Sequence, residues 1–126
     1  MSKLAVAFDF DGVIHNLSDG WRDGEIYGSY NEDVISAIYD LNKMKVPVFI
    51  LSSRSPKQIV TWWNEQGFKI KADVIPGDDF FFNSTDYIGV TQIKRPAQVY
   101  IDDRAINYNG QDRKNILLAA IGKEVE

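Results

Sequence analysis

A chain of 126 residues, 44% hydrophobic and 25% charged, has the length and composition of one globular domain, taken as 1–126, with a single core. A formal net charge of −4 and a pI near 4.9 disfavour nucleic-acid binding through overall basicity. No cysteine and a single histidine, His15, exclude thiolate chemistry, disulfides and a multi-histidine metal site; without a signal-like segment or a long apolar run, the chain reads as cytoplasmic, with no membrane partner.

KLAVAF, residues 3–8, is apolar with little alternation, the pattern of a strand buried on both faces. It runs straight into Asp9 and Asp11, separated only by Phe10, and Gly12 follows. Two carboxylates about 4 Å apart oppose each other by roughly 4 kcal/mol at an effective dielectric near 20, so a fold that holds them together usually sets a cation between them. From Gly12 to Tyr30 glycines and aromatics favour a loop, with a short hairpin around Glu25 to Tyr30. Val34, Ile35, Ile38, Leu41 and Met44 then mark one face of a helix, with Asn31 or Asp33 as its cap.

VPVFIL, 46–51, is a second buried strand that ends at Ser52. Ser55 as N-cap, Pro56 at the first helical position and Gly67 past the end delimit the next helix; Ile59 and Trp63 share its inner face, which leaves Trp62 partly exposed. ADVIPG, 72–77, reads as a third strand stopped by Pro76 and Gly77. DDFFFNSTDYIG, 78–89, shows no clear period and reads as a turn of helix or an aromatic loop. QVYID, 98–102, is a fourth strand that again meets a pair of acids, and Ile116, Leu117, Ala120 and Ile121 give a C-terminal helix stopped at Gly122.

Alternating strands and helices predict an α/β fold, a Rossmann-like doubly wound parallel sheet with helices on both faces. Ligands of such sheets gather beyond the carboxyl ends of the strands. Asp9 and Asp11 follow the first strand, Ser52 the second, and Asp102 and Asp103 the fourth, so all five belong to one edge. Clustered carboxylates suit a hard cation bound through oxygen, Mg²⁺ where phosphate supplies further ligands. The Ser52 hydroxyl and Lys94 are then candidates to contact phosphate oxygens, an aspartate can serve as nucleophile, and Asp11 can manage the proton. An EF-hand fails on spacing, because Gly12 falls at position four from Asp9 and no glutamate closes the loop.

DFDGV after the first strand, FILSS at the second and IKRPAQVYIDD around the fourth resemble, in order, the motifs of the haloacid dehalogenase-like hydrolase superfamily. GVIHNLSDGW…EIYG and YIDDRAINYNG are similar to short bacterial and phage members in particular. The resemblance implies that Asp9 is the nucleophile and a Mg²⁺ ligand, and Asp11 the general acid and base with its carbonyl on the metal. It also implies that Ser52 binds phosphate, Lys94 steadies the phosphoryl group, Asp102 ligates metal, and Asp103 ligates through water or orients Lys94. Members that cleave carbon–halogen bonds lack the second aspartate and transport ATPases carry threonine there, so Asp11 points to a phosphatase or phosphotransferase. The fold implied is a sheet of order 5-4-1-2-3, with a brief fifth strand at Ile106 to Tyr108 and no room for a cap domain.

Two rivals stand beside the Mg²⁺-dependent phosphatase. One is a catalytically idle binding module of the same fold. The other is a receiver-like phospho-accepting signalling domain, which would place its adjacent acids after the first strand instead of the last. His15, Asn16, Arg54 and Arg104 flank the motifs as substrate contacts; Arg54 leads, because its guanidinium suits a second anionic group. An open site admits a nucleotide, a sugar phosphate, a nucleic-acid end or a phosphoprotein, and a homo-oligomer is compatible with it.

Overall fold

The computed structural model describes residues 4–16, 26, 29–105 and 110–121. The strands are β1 (Val6–Phe8), β2 (Val48–Leu51), β3 (Ala72–Val74), β4 (Ile88–Thr91) and β5 (Val99–Ile101), and the helices are α1 (Glu32–Lys43), α2 (Pro56–Glu65) and α3 (Arg113–Ile121). Every pairing is parallel, in the order β3-β4-β2-β1-β5. The α/β class is as expected from the alternation of elements.

The expected order 5-4-1-2-3 needs correction. The expected neighbours of the first strand are kept, since β1 lies between β2 and β5. An unforeseen strand, β4, separates β2 from β3. All four of its residues are buried, so it carries no alternation to read, and Gly89 interrupts the apolar run. That glycine makes room: a Cβ there would fall 2.7 Å from side-chain atoms of Ile75 and Phe82. The fifth strand expected at 106–108 lies outside the described residues, as does half of the expected hairpin, of which Tyr30 is seen in an antiparallel bridge to His15.

The helices also depart from the expected two-faced arrangement. Ile35 and Ile38 of α1 and Ile59, Trp62 and Trp63 of α2 pack in one cluster with Val6, Phe8, Val48, Ile50 and Val90. The steps β1 to β2 and β2 to β3 run the same way across the sheet, and right-handed crossovers place both helices on one face. The return steps cross the opposite face, where Ile75, Phe82 and Ala97 from the connecting segments cover Ala5, Ala7 and Phe49. Among the described residues α3 packs against none of the other elements.

Pro56 opens α2 at its first turn and Ser55 holds the N-cap position, but neither Ser55 nor Asn31 makes a side-chain cap bond. The Asn31 amide donates instead to the Val13 carbonyl at 2.6 Å, tying α1 to the segment after β1. Trp62, expected to be partly exposed, is buried with Trp63. Its ring meets Phe10, His15, Tyr30 and Phe68 edge-on, contacts from segments outside α2 that helical periodicity within α2 does not encode.

Candidate active site

The acids gather because of how β1 ends. The Phe10 carbonyl accepts hydrogen bonds from the backbone N–H groups of Ile14 and His15, both at 2.9 Å, and the Gly12 N–H donates to the His15 carbonyl. This tight turn brings His15 back beside Asp11, with Nδ1 2.9 Å from Asp11 Oδ1. From the end of β2, Arg54 donates Nε to Asp11 Oδ2 at 2.7 Å and Nη2 to Asp11 Oδ1 at 2.9 Å. Phe10, fully buried, stacks on the His15 ring at 5.5 Å and lies under the Arg54 guanidinium at 5.9 Å. The phenylalanine between the two aspartates is therefore the wedge that holds both partners of Asp11 in place.

Asp9 turns toward the other acids. Its N–H donates to the Ile101 carbonyl at 2.8 Å, which locks the end of β1 to the end of β5 and sets Asp9 beside Asp102. Carboxylate oxygens of Asp9, Asp102 and Asp103 all lie within 4.8 Å of one another. Gly12 makes the third approach possible, because its φ is +86° and any Cβ there would collide with the Asp103 carboxylate. Asp102 and Asp103 are exposed while Asp9 is half-buried, so the cluster opens to solvent on one side. Three converging carboxylates fit a hard divalent cation that keeps other ligand positions for water or phosphate.

The two aspartates of the DFD run have opposite electrostatics. Burial first, and then the charges of Asp102, Asp103 and Asp11, push the Asp9 carboxyl up to about 6 against the opposing Phe10 N–H bond. Burial also works to raise Asp11, but the Arg54 and His15 hydrogen bonds and charges outweigh it and hold Asp11 below the usual carboxylate range. Asp9 is thus a carboxylate short of positive charge, and Asp11 one already supplied with it.

Ser52 lies at the end of β2 with its N–H on the Thr91 carbonyl, and its hydroxyl accepts from the Arg54 N–H at 3.2 Å. The Lys94 side chain is exposed, with its ammonium 4.8 Å from the centre of the Tyr100 ring. His15 and Arg54, expected as substrate contacts, are buried and hydrogen-bonded to Asp11; Asn16 is half-buried with its N–H on the Ser29 carbonyl. The cavity at the strand ends, lined by Asp9, Leu51, Tyr100 and Asp102, measures about 20 Å³.

Sequence reasoning missed Arg95. It is buried, and its guanidinium donates to the carbonyls of Pro76, Asp79 and Ile93 and to the Thr91 hydroxyl. This clamps the turn after β3 to the loop that carries Lys94. The signal was present as a second cation beside Lys94, but three of its four acceptors are backbone carbonyls that no sequence pattern marks.

No family model matches the chain, and no curated protein matches it. A solved structure described as that of a conserved protein coded by a locus from Bacteroides thetaiotaomicron superposes with a TM-score of 0.52. The match covers 95% of this chain and 90% of that one, at 20% sequence identity. The likeness is one of fold. Among the described residues no helix is long and apolar enough to cross a membrane.

Proposed function

We propose that this chain is a Mg²⁺-dependent phosphatase of the haloacid dehalogenase-like type, hydrolysing a phosphomonoester through an aspartyl-phosphate on Asp9. The observation that carries the reading is the convergence of the Asp9, Asp102 and Asp103 oxygens at the carboxyl edge of a parallel sheet, with a second aspartate held two residues from Asp9. Asp9, Asp102 and Asp103 would hold the ion; when bound, it neutralises the phosphoryl oxygens so that a carboxylate can approach them.

An Asp9 carboxylate oxygen attacks phosphorus and the bond to the leaving oxygen breaks, while Asp11, which must first take up a proton against the Arg54 and His15 bonds that hold it ionised, gives that oxygen the proton. Asp11 then takes a proton from water, whose oxygen attacks the phosphoenzyme and releases inorganic phosphate with Asp9 regenerated. Ser52 and Lys94 are the donors for phosphoryl oxygens, and Lys94 must leave the Tyr100 ring to serve. The adjacent acids follow β5, and β1 sits between β2 and β5, which favours this reading over a receiver domain, whose sheet runs 2-1-3-4-5.

The substrate is a phosphomonoester presented on an exposed group, as a nucleotide, sugar phosphate, nucleic-acid end or phosphoprotein can present it. A second reading, a binding module without turnover, draws on the Arg54 fork, because a carboxyl gripped by two donors resists protonation. Release of phosphate from an aryl phosphate, measured for the protein and for Asp9→Asn with Mg²⁺ and with chelator, separates them. Turnover that needs both Asp9 and Mg²⁺ supports the enzyme; no turnover by folded, Mg²⁺-binding protein across nucleotide, sugar phosphate and nucleic-acid substrates overturns it.

A further inference from the structure

Between α1 and β5 the sheet carries an apolar groove of about 630 Å³ that no other described residue fills. Val99 and Ile101 pair in register with Val6 and Phe8, so all four side chains point to the α1 face and form the floor, while Leu41 of α1 and Met44 at its C-terminal end form a wall. Met44 is 58% exposed, Val99 44% and Ile101 38%, a cluster of large apolar side chains that a folded chain normally covers.

The same chain carries an apolar helix that packs against no other described element. From Ile116 the residues of α3 are Ile, Leu, Leu, Ala and Ala, and each successive residue turns about 100° around the axis. Apolar side chains therefore point to every side of α3 and not to one stripe. Ile116 and Leu118 are 45% and 38% exposed, and among the described residues α3 packs against no other element. A helix apolar all round belongs in an interior, whereas the groove of its own chain can cover only one side. Charge adds a direction. Asp33 and Asp40 edge the groove, and Arg113 and Lys114 open α3.

We propose that the groove between α1 and β5 takes the α3 helix of a second copy of this chain. Two copies exchange α3 about a two-fold axis, so that each groove is filled and the paired helices cover each other's outer sides. Such an interface is self-complementary, with the acidic rim of each copy meeting the basic first turn of the other copy's α3.

The test is the molar mass of the full chain by light scattering across a range of concentrations, with far-UV circular dichroism to confirm folding. The expected mass is twice the 14.3 kDa of one chain. Leu118→Glu in the helix and Met44→Glu in the groove should each give a folded monomer, and Ile93→Glu, exposed elsewhere, should stay a dimer. Mixing the two monomeric variants should restore dimer, since a hybrid keeps one intact helix in one intact groove. A monomeric wild type, a dimer that survives both interface variants, loss of the dimer in Ile93→Glu, or a mixture that stays monomeric would each overturn the proposal. None of these readouts depends on turnover.

Discussion

Arg54 grips Asp11 through two nitrogens, Nε at 2.7 Å and Nη2 at 2.9 Å, in a pocket where the arginine is almost wholly buried. An arginine pointing into solvent beside Ser52 would recognise an anionic substrate, whereas this one fixes the orientation and charge of a carboxylate two residues from the candidate nucleophile.

Arg54→Ala should therefore lower kcat more than it raises KM, by about 10- to 100-fold in kcat, on every phosphomonoester turned over. Steady-state kinetics on one small and one bulky substrate check it; a rise in KM confined to the bulky one would return Arg54 to substrate recognition. The same variant should lose about 2 kcal/mol of stability at neutral pH, because a half-buried carboxylate is left without its main partner. Asp11 is depressed in the folded state, so its stabilising contribution is present above the ordinary carboxylate value of 3.8 and is lost as pH falls through the lower folded value. Acid unfolding of Arg54→Ala should accordingly begin at higher pH than that of the wild type.

Asp9 has the opposite sign. Its folded value of about 6 lies above 3.8, so the folded protein binds the extra proton between those limits and stability falls as pH rises through that window. The full shift corresponds to about 3 kcal/mol, and solvent screening of this half-open cluster reduces it to about 1 kcal/mol. Asp9→Asn should remove the decline, melting higher than wild type at pH 7.5 without Mg²⁺ and equally near pH 4. Mg²⁺ should stabilise wild type more at pH 7.5 than at pH 5, and thermal melts across pH with and without the ion would show both effects.

Gly12→Ala should cost about 1–2 kcal/mol through its positive φ and, in addition, weaken Mg²⁺ binding at least 10-fold by displacing the Asp103 carboxylate. Gly67→Ala is the control, because φ there is +77° with nothing within 4 Å of a Cβ. It should be destabilised without any change in Mg²⁺ affinity. Titration calorimetry of the two folded variants distinguishes backbone strain from loss of the cluster; equal affinities would remove Gly12 from the site.

Arg95→Met should cost about 2–4 kcal/mol, since the carbonyls of Pro76 and Asp79 lose their buried donor. Arg95→Lys should recover only part of it, because one ammonium cannot reach acceptors on both segments. Denaturant unfolding of the two variants gives the comparison, and a lysine variant as stable as wild type would show that the clamp is not needed.

Much of this protein is legible in its sequence because the relevant physics is local. Apolar runs such as VPVFIL must bury as strands, Pro56 and Gly67 can only bracket a helix, and acids at strand ends in a parallel sheet must share an edge. The α/β class, the adjacency of β5, β1 and β2 and the meeting of Asp9 with Asp102 and Asp103 follow from that. What depends on contacts between distant segments does not. Four wholly buried residues with a glycine among them give β4 no period to read, and two helices fell on one face because the direction of each crossover is fixed by strand order. Arg54 as a partner of Asp11, and the Pro76 and Asp79 acceptors of Arg95, likewise come from segments brought together only by folding. Residue types determined which groups could form a site; tertiary packing decided which of them face the open edge and which, like His15 and Arg54, stand behind it.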